Sequence, residues 1–267
     1  VRVIAYAMIM SRKEFRVPYQ LVEGFRVDLA LLKRLLWYGG PSGIQLFLET
    51  LAFTAFLFLM GRLGQVSMAA TTIAFSVNTF AFVPMLGLGI AVTTLVGQQL
   101  GRNDPHLAER ATWTAFVLGG LYVGTMALLY VAWPDLFLMA YSAGSQQGFG
   151  ELRSICIVLL RFVALYCFLD MTHIVFVSAI KGAGDTRFVL LTTLIVSPIP
   201  LVLGYLGSTR WQWSLFTFWL VITTWICSLG IIYLVRFRQG KWRKMRVIEE
   251  ADSQPAVESP VAVVSST

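Results

Sequence analysis

Six apolar stretches organise this chain, near residues 37–60, 68–100, 111–133, 155–180, 188–206 and 214–235. Each approaches or exceeds the ~20 residues that a tilted helix needs to cross a bilayer. Of 267 residues, 57% are hydrophobic and 13% charged, and the mean hydropathy is +0.72. A water-soluble domain carries charge on about a quarter of its residues, so this chain lacks the polar surface to cover itself in water. The fold class expected is all-α and integral to the membrane: a bundle of six transmembrane helices.

Lysine and arginine fall mostly on one side of these spans. That side receives Arg2, Arg12, Lys13, Arg16, Arg26, Lys33 and Arg34, then Arg102, Arg110, Lys181 and Arg187. It also receives Arg236, Arg238, Lys241, Arg243, Lys244 and Arg246, whereas the other side has Arg62, Arg153 and Arg210. The positive-inside rule puts both termini in the cytoplasm, beneath a plasma (inner) membrane, and an even number of spans agrees. Topology thus accounts for the net charge of +7. Basic residues scattered between apolar runs make no phosphate-binding face, and no nucleic-acid partner is expected. Cys156, Cys167 and Cys227 lie inside apolar runs without CxxC spacing and read as packing residues.

Four regions follow. Residues 1–10 read as the cytoplasmic end of a preceding helix, because ten apolar residues are too few to span; the sequence then reads as a fragment of a longer protein. Residues 11–36 form a cytoplasmic linker with an interfacial helix, 37–235 the six-helix lobe, and 236–267 a basic, then disordered, cytoplasmic tail. Trp37, Trp211, Trp213 and Trp242 sit near predicted interfaces, where aromatic belts belong. Pro84 is expected to kink the second span. Gly87, Gly89 and Ala91 beside it offer a thin surface for close helix packing, with a broken helix near a substrate path as the sharper alternative.

Polar groups inside the spans are the informative ones, since a charge at the bilayer centre costs roughly 2.5–3.5 kcal/mol. Glu49 lies in the first span, about 18 Å beyond Trp37 at 1.5 Å per residue. Asp170 lies in the fourth, about 16 Å from Lys181 at the same side. Equal depth on two helices is what a shared cation site requires. Tyr166, one turn before Asp170, shares its face; Gln45 stands in the same relation to Glu49, and His173, three residues after Asp170, is a further supporting group. Structural pairing of a carboxylate with Arg161 is the bland alternative, although nine residues place Arg161 on the opposite face from Asp170.

The stretches GGPSGIQLFLE, GRLGQVSMAA, PMLGLGIAVTTLVGQQLGRNDPHLAERA and KGAGDTRF run in order over residues 32–235. Together they resemble the second half of multidrug and toxic-compound extrusion (MATE) transporters, specifically the C-terminal lobe of the bacterial Na⁺-coupled type. The resemblance implies one lobe of a twelve-helix antiporter that exports bulky, often cationic amphipathic compounds against inward Na⁺ or H⁺. It implies a cation site at Glu49, Tyr166 and Asp170, with Gln45 and His173 as supporting groups. Gly182, Gly184, Asp185 and Arg187 match the family's cytoplasmic turn and are expected to hold that loop. Neither enzyme activity nor a cofactor beyond the coupling ion is implied. A missing N-terminal lobe, or a second copy of this one, would complete the wall of the substrate cavity. Two other readings are a lipid-linked sugar flippase, for which the spans offer only Arg161 to meet phosphate, and a non-transporting membrane scaffold, which leaves the paired carboxylates unexplained.

Overall fold

The computed structural model describes residues 28–142 and 149–245. The expected helix end at 1–10, the linker up to residue 27 and the tail beyond 245 lie outside them. The described residues form α1 (Leu29–Arg62), α2 (Gln65–Gly101), α3 (Pro105–Ala132), α4 (Pro134–Ser142), α5 (Phe149–Gly182), α6 (Thr186–Val196), α7 (Pro198–Thr209) and α8 (Leu215–Arg238). A short 3₁₀ turn, Lys241–Lys244, follows. Six spans are long and apolar enough to cross a membrane: α1, α2, α3, α5, α6 with α7, and α8.

The chain divides into two compact units between Gly40 and Pro41. In the first, Asp28 opens α1 by accepting hydrogen bonds from the N–H groups of Ala30 (2.8 Å) and Leu31 (3.2 Å). Helix therefore begins at Leu29, and residues 29–36, read from sequence as a separate interfacial helix, are continuous with the first span. The second unit, from Pro41 onward, holds the bundle.

Apolar sequence alone does not end a helix; local chemistry does. The GRNDPH stretch stops α2 and starts α3. Asn103 takes a left-handed φ of 63°, Asp104 accepts from the Leu107 N–H at 3.0 Å, and Pro105 occupies the first turn, where no N–H is needed. At the end of α5, Gly184 turns the chain at φ 90°, which a side chain would resist. Inside the spans, the hydroxyls of Thr50, Thr54, Thr94 and Thr172 return to the carbonyl four residues earlier, so these polar groups cost the bilayer little.

Helix α5 is the centre of the bundle, flanked by α2, α3 and α8. Small residues bring the backbones together. A Cβ at Gly89 would stand 2.8 Å from Ser178 Oγ, one at Gly182 would stand 2.5 Å from the Thr93 carbonyl oxygen, and one at Gly230 would stand 2.7 Å from the Leu169 carbonyl oxygen. Gly89 thus serves close packing, as its composition suggests, and α2 runs unbroken through Pro84. Gly87 faces open space.

The broken span is the fifth. Read from sequence as one apolar stretch, it is two helices that meet at Ser197, ahead of Pro198 and Pro200. Neither proline carries an N–H, so the carbonyls of Leu194 and Val196 lose their helical donors there. The short helix α4 was not expected either; Pro134 at its first position and Asp135 in its first turn are the signals for it.

At the end of the bundle rich in basic residues, the chain continues through Arg238 into the turn Lys241–Lys244, which packs on the helices. Trp242, expected as an interfacial anchor, is buried; its ring stacks on Phe237 at 4.7 Å and its indole N–H donates to the Phe237 carbonyl at 2.8 Å. Arg243 pairs with Glu109 of α3 at 2.6 Å. Trp211 remains exposed and stacks on Trp213 at 5.2 Å, in keeping with an interfacial position, and Trp37 is exposed as well.

Candidate cation site

Tyr166, Asp170 and His173 lie on one face of α5, and the surrounding helices bury them together. Tyr166 is 1% exposed and its hydroxyl has no hydrogen-bond partner among the described residues. Asp170 is 7% exposed. His173 Nδ1 stands 3.8 Å from Asp170 Oδ1, and its Nε2 is buried without a partner. A buried carboxylate with an unpartnered phenol one turn away is an oxygen-rich niche inside an apolar bundle, an arrangement that suits a hard cation or a proton.

The His173 ring stacks on Tyr233 of α8, with centroids 5.5 Å apart. Tyr233 in turn reaches α6, with its hydroxyl 3.4 Å from the Val189 carbonyl and 3.5 Å from Thr193 Oγ1. Sequence reasoning did not single out Tyr233 or Thr193. Their signal was modest: a phenol in the run GIIYLV and one of two adjacent threonines in LLTTLIV.

Glu49 is half-buried on α1, where its carboxylate accepts a short hydrogen bond from Gln45 Nε2. Gln45 itself is 2% exposed, and its Oε1 has no partner. Among the described residues, no hydrogen bond or ion pair joins Glu49 to Tyr166 or Asp170, and no group of three His, Cys, Asp or Glu side chains is placed to hold a metal ion. Arg161 is exposed on α5 and pairs with neither carboxylate.

The turn residues lie at the connection of α5 and α6. Gly184 supplies the left-handed bend, and Gly182 allows α2 to approach. Asp185 Oδ2 accepts from Arg236 Nε at 3.0 Å and from its Nη2 at 2.7 Å, and the guanidinium lies over the Phe188 ring at 4.4 Å. Arg187 is exposed.

A family model described as MatE matches residues 41–206. Probable multidrug resistance protein NorM of Mesorhizobium japonicum is 30% identical over 86% of this chain and 50% of its own length. The protein of the same description from Brucella suis is 26% identical over 86% of this chain and 49% of its own. The chain thus spans about half the length of these curated relatives. A solved structure described as the outward-facing conformation of a multidrug resistance MATE family transporter of the MOP superfamily superimposes with a TM-score of 0.71. It is 17% identical and covers 83% of this chain and 49% of the other, a likeness of fold.

Proposed function

This chain belongs to the MatE family, and from that premise we propose that it is the cation-binding lobe of an antiporter. The antiporter exports amphipathic, often cationic drug-like compounds by alternating access, driven by Na⁺ or H⁺ entry. The observation that carries this reading is the buried pair on α5, in which an unpartnered Tyr166 hydroxyl lies one turn before the buried Asp170. A site inside the bundle, away from lipid, can change how helices pack when its charge is neutralised. Cation or proton at Asp170 and Glu49 would bias the lobe between two packings, and so change affinity for the exported compound. The names of the relatives support multidrug compounds as the cargo.

The lobe works with a second lobe, supplied either by an N-terminal half or by another copy, and is oriented with its basic turns in the cytoplasm of a cell whose inner membrane it crosses. Basic residues at Arg236, Arg238 and Arg243, all on one end of the bundle, support that orientation. Asp170→Asn is expected to abolish Na⁺- or H⁺-driven efflux of a fluorescent cationic dye from cells while membrane expression stays at the wild-type level. Efflux that survives the substitution would sink the reading.

A further inference from the structure

We propose that α3 and α8 together hold an anionic phospholipid, its headgroup at the basic end of the bundle and its acyl chains along the two helices. The faces concerned follow from helix periodicity. On α3, Arg110, Val117, Leu121 and Leu128 share one side and are all exposed. On α8, Ile231, Val235 and Arg238 recur at four and three residues and are exposed as well. Each face is apolar along the span and ends, toward the basic side, in an arginine. The two helices meet at those ends. The Arg238 guanidinium stands 5.8 Å from the centre of the Trp113 ring, and Trp113 meets Phe237 with ring centroids 6.3 Å apart. One turn nearer the end of α3, Glu109 receives Arg243 at 2.6 Å.

Charge at this end is answered unevenly. Asp185 neutralises Arg236, and Glu109 neutralises Arg243. Arg238 and Arg110 make no ion pair among the described residues. Stacking on an indole face steadies the Arg238 guanidinium and leaves the N–H donors at its edge free, so Trp113 positions the charge without cancelling it. A guanidinium edge suits a phosphate ester, which can accept two parallel hydrogen bonds from it. Basic side chains between helix ends at the membrane surface favour lipids of net negative charge, since a zwitterionic headgroup also brings an ammonium that arginine repels. The apolar residues beneath the arginines make the anion a lipid. Its chains would cover Val117 and Leu121 on one helix and Ile231 and Val235 on the other, four side chains that are 49–67% exposed.

The test is lipid binding to the purified chain in neutral detergent, followed by native mass spectrometry, with dioleoyl-phosphatidylglycerol against dioleoyl-phosphatidylcholine. The two lipids share chains and phosphate and differ in net charge, and wild type should prefer phosphatidylglycerol. Arg238→Gln and Arg110→Gln should each weaken phosphatidylglycerol binding about fivefold, the effect of one basic residue at a membrane surface, and leave phosphatidylcholine unchanged. Arg238→Lys, which keeps the charge, should retain most of the preference. Arg187→Gln, which removes one charge from the same end on α6, should bind as wild type does. Excess inorganic phosphate should not displace the lipid. Equal affinity of wild type for the two lipids overturns the proposal, and so does displacement by phosphate alone. An equal loss in Arg187→Gln also overturns it, because attraction to the whole basic end would then suffice. Melting temperatures without lipid separate lost binding from lost fold, and Arg110→Gln, whose side chain pairs with no described carboxylate, keeps the decision independent of folding.

Discussion

Helices α5 and α1 each bring one carboxylate into the span, and the protein holds them in different ways. Around α5, glycines and small side chains on three neighbours remove the space between backbones, and Asp170 sits in the resulting enclosure. Helix α1 leans on α7 and α8 through larger apolar side chains such as Phe56 and Leu59, and Glu49 stays half-buried beside its own helix's Gln45. Close backbone packing fixes a side chain's position, whereas packing through side chains leaves a helix free to shift. The difference is one of grip: α5 is held through backbone contacts, and α1 through side chains.

Four measurements press on that contrast. The largest effect is expected where the foot of the α5–α6 connection is fastened. Arg236→Met strands Asp185 in a site where both side chains are at least 85% buried, and thermal unfolding in detergent should show a loss of about 3 kcal/mol. Next comes the enclosure itself: Gly230→Val drives a side chain into the Leu169 carbonyl, and a loss of about 1–3 kcal/mol should follow in the same assay. On α1 the same kind of change has the opposite sign. Gly43 has open space where its Cβ would go, so Gly43→Ala should stabilise by about 0.5–1 kcal/mol; destabilisation by as much would show α1 to be gripped as tightly as α5.

The smallest effect concerns the exposed pair at the other end, where Asp135 accepts from Arg153 Nε and Nη2, both at 2.7 Å. The Arg153 hydrogen bond holds the Asp135 carboxyl below its ordinary value. Its contribution is therefore complete above about pH 4 and fades as pH falls through the lowered value. Because both groups face solvent, Arg153→Gln should leave the melting temperature at pH 7 unchanged within error, and a clear drop would show that this end is also fastened.

Much of this was legible in the residues, but not evenly. Spans and their number follow from length and apolarity. The depth of Glu49 and Asp170 follows from counting along each helix. The direction each side chain takes around its helix does not, because lipid is as apolar as a bundle interior and the hydrophobic pattern carries little facing information. Counting therefore sets Glu49 and Asp170 at equal depth without fixing whether their side chains face each other, and among the described residues no hydrogen bond joins them. The break at Ser197 was legible in principle, since Pro198 and Pro200 lie only one residue apart, yet an apolar run hides it from a count of hydropathy. Asp185 of the GAGDTR turn stands out in the residues. Its partner Arg236, 51 residues away, was beyond any local signal.

The enclosure around α5 also has a place in time. A chain is threaded into the membrane from its N-terminus, so α2 and α3 are present when α5 enters, but the Gly230 face of α8 is the last to be made. Until then, the side of α5 that carries Leu169 and His173 lacks the α8 surface that covers it. Closure of that side thus waits for α8.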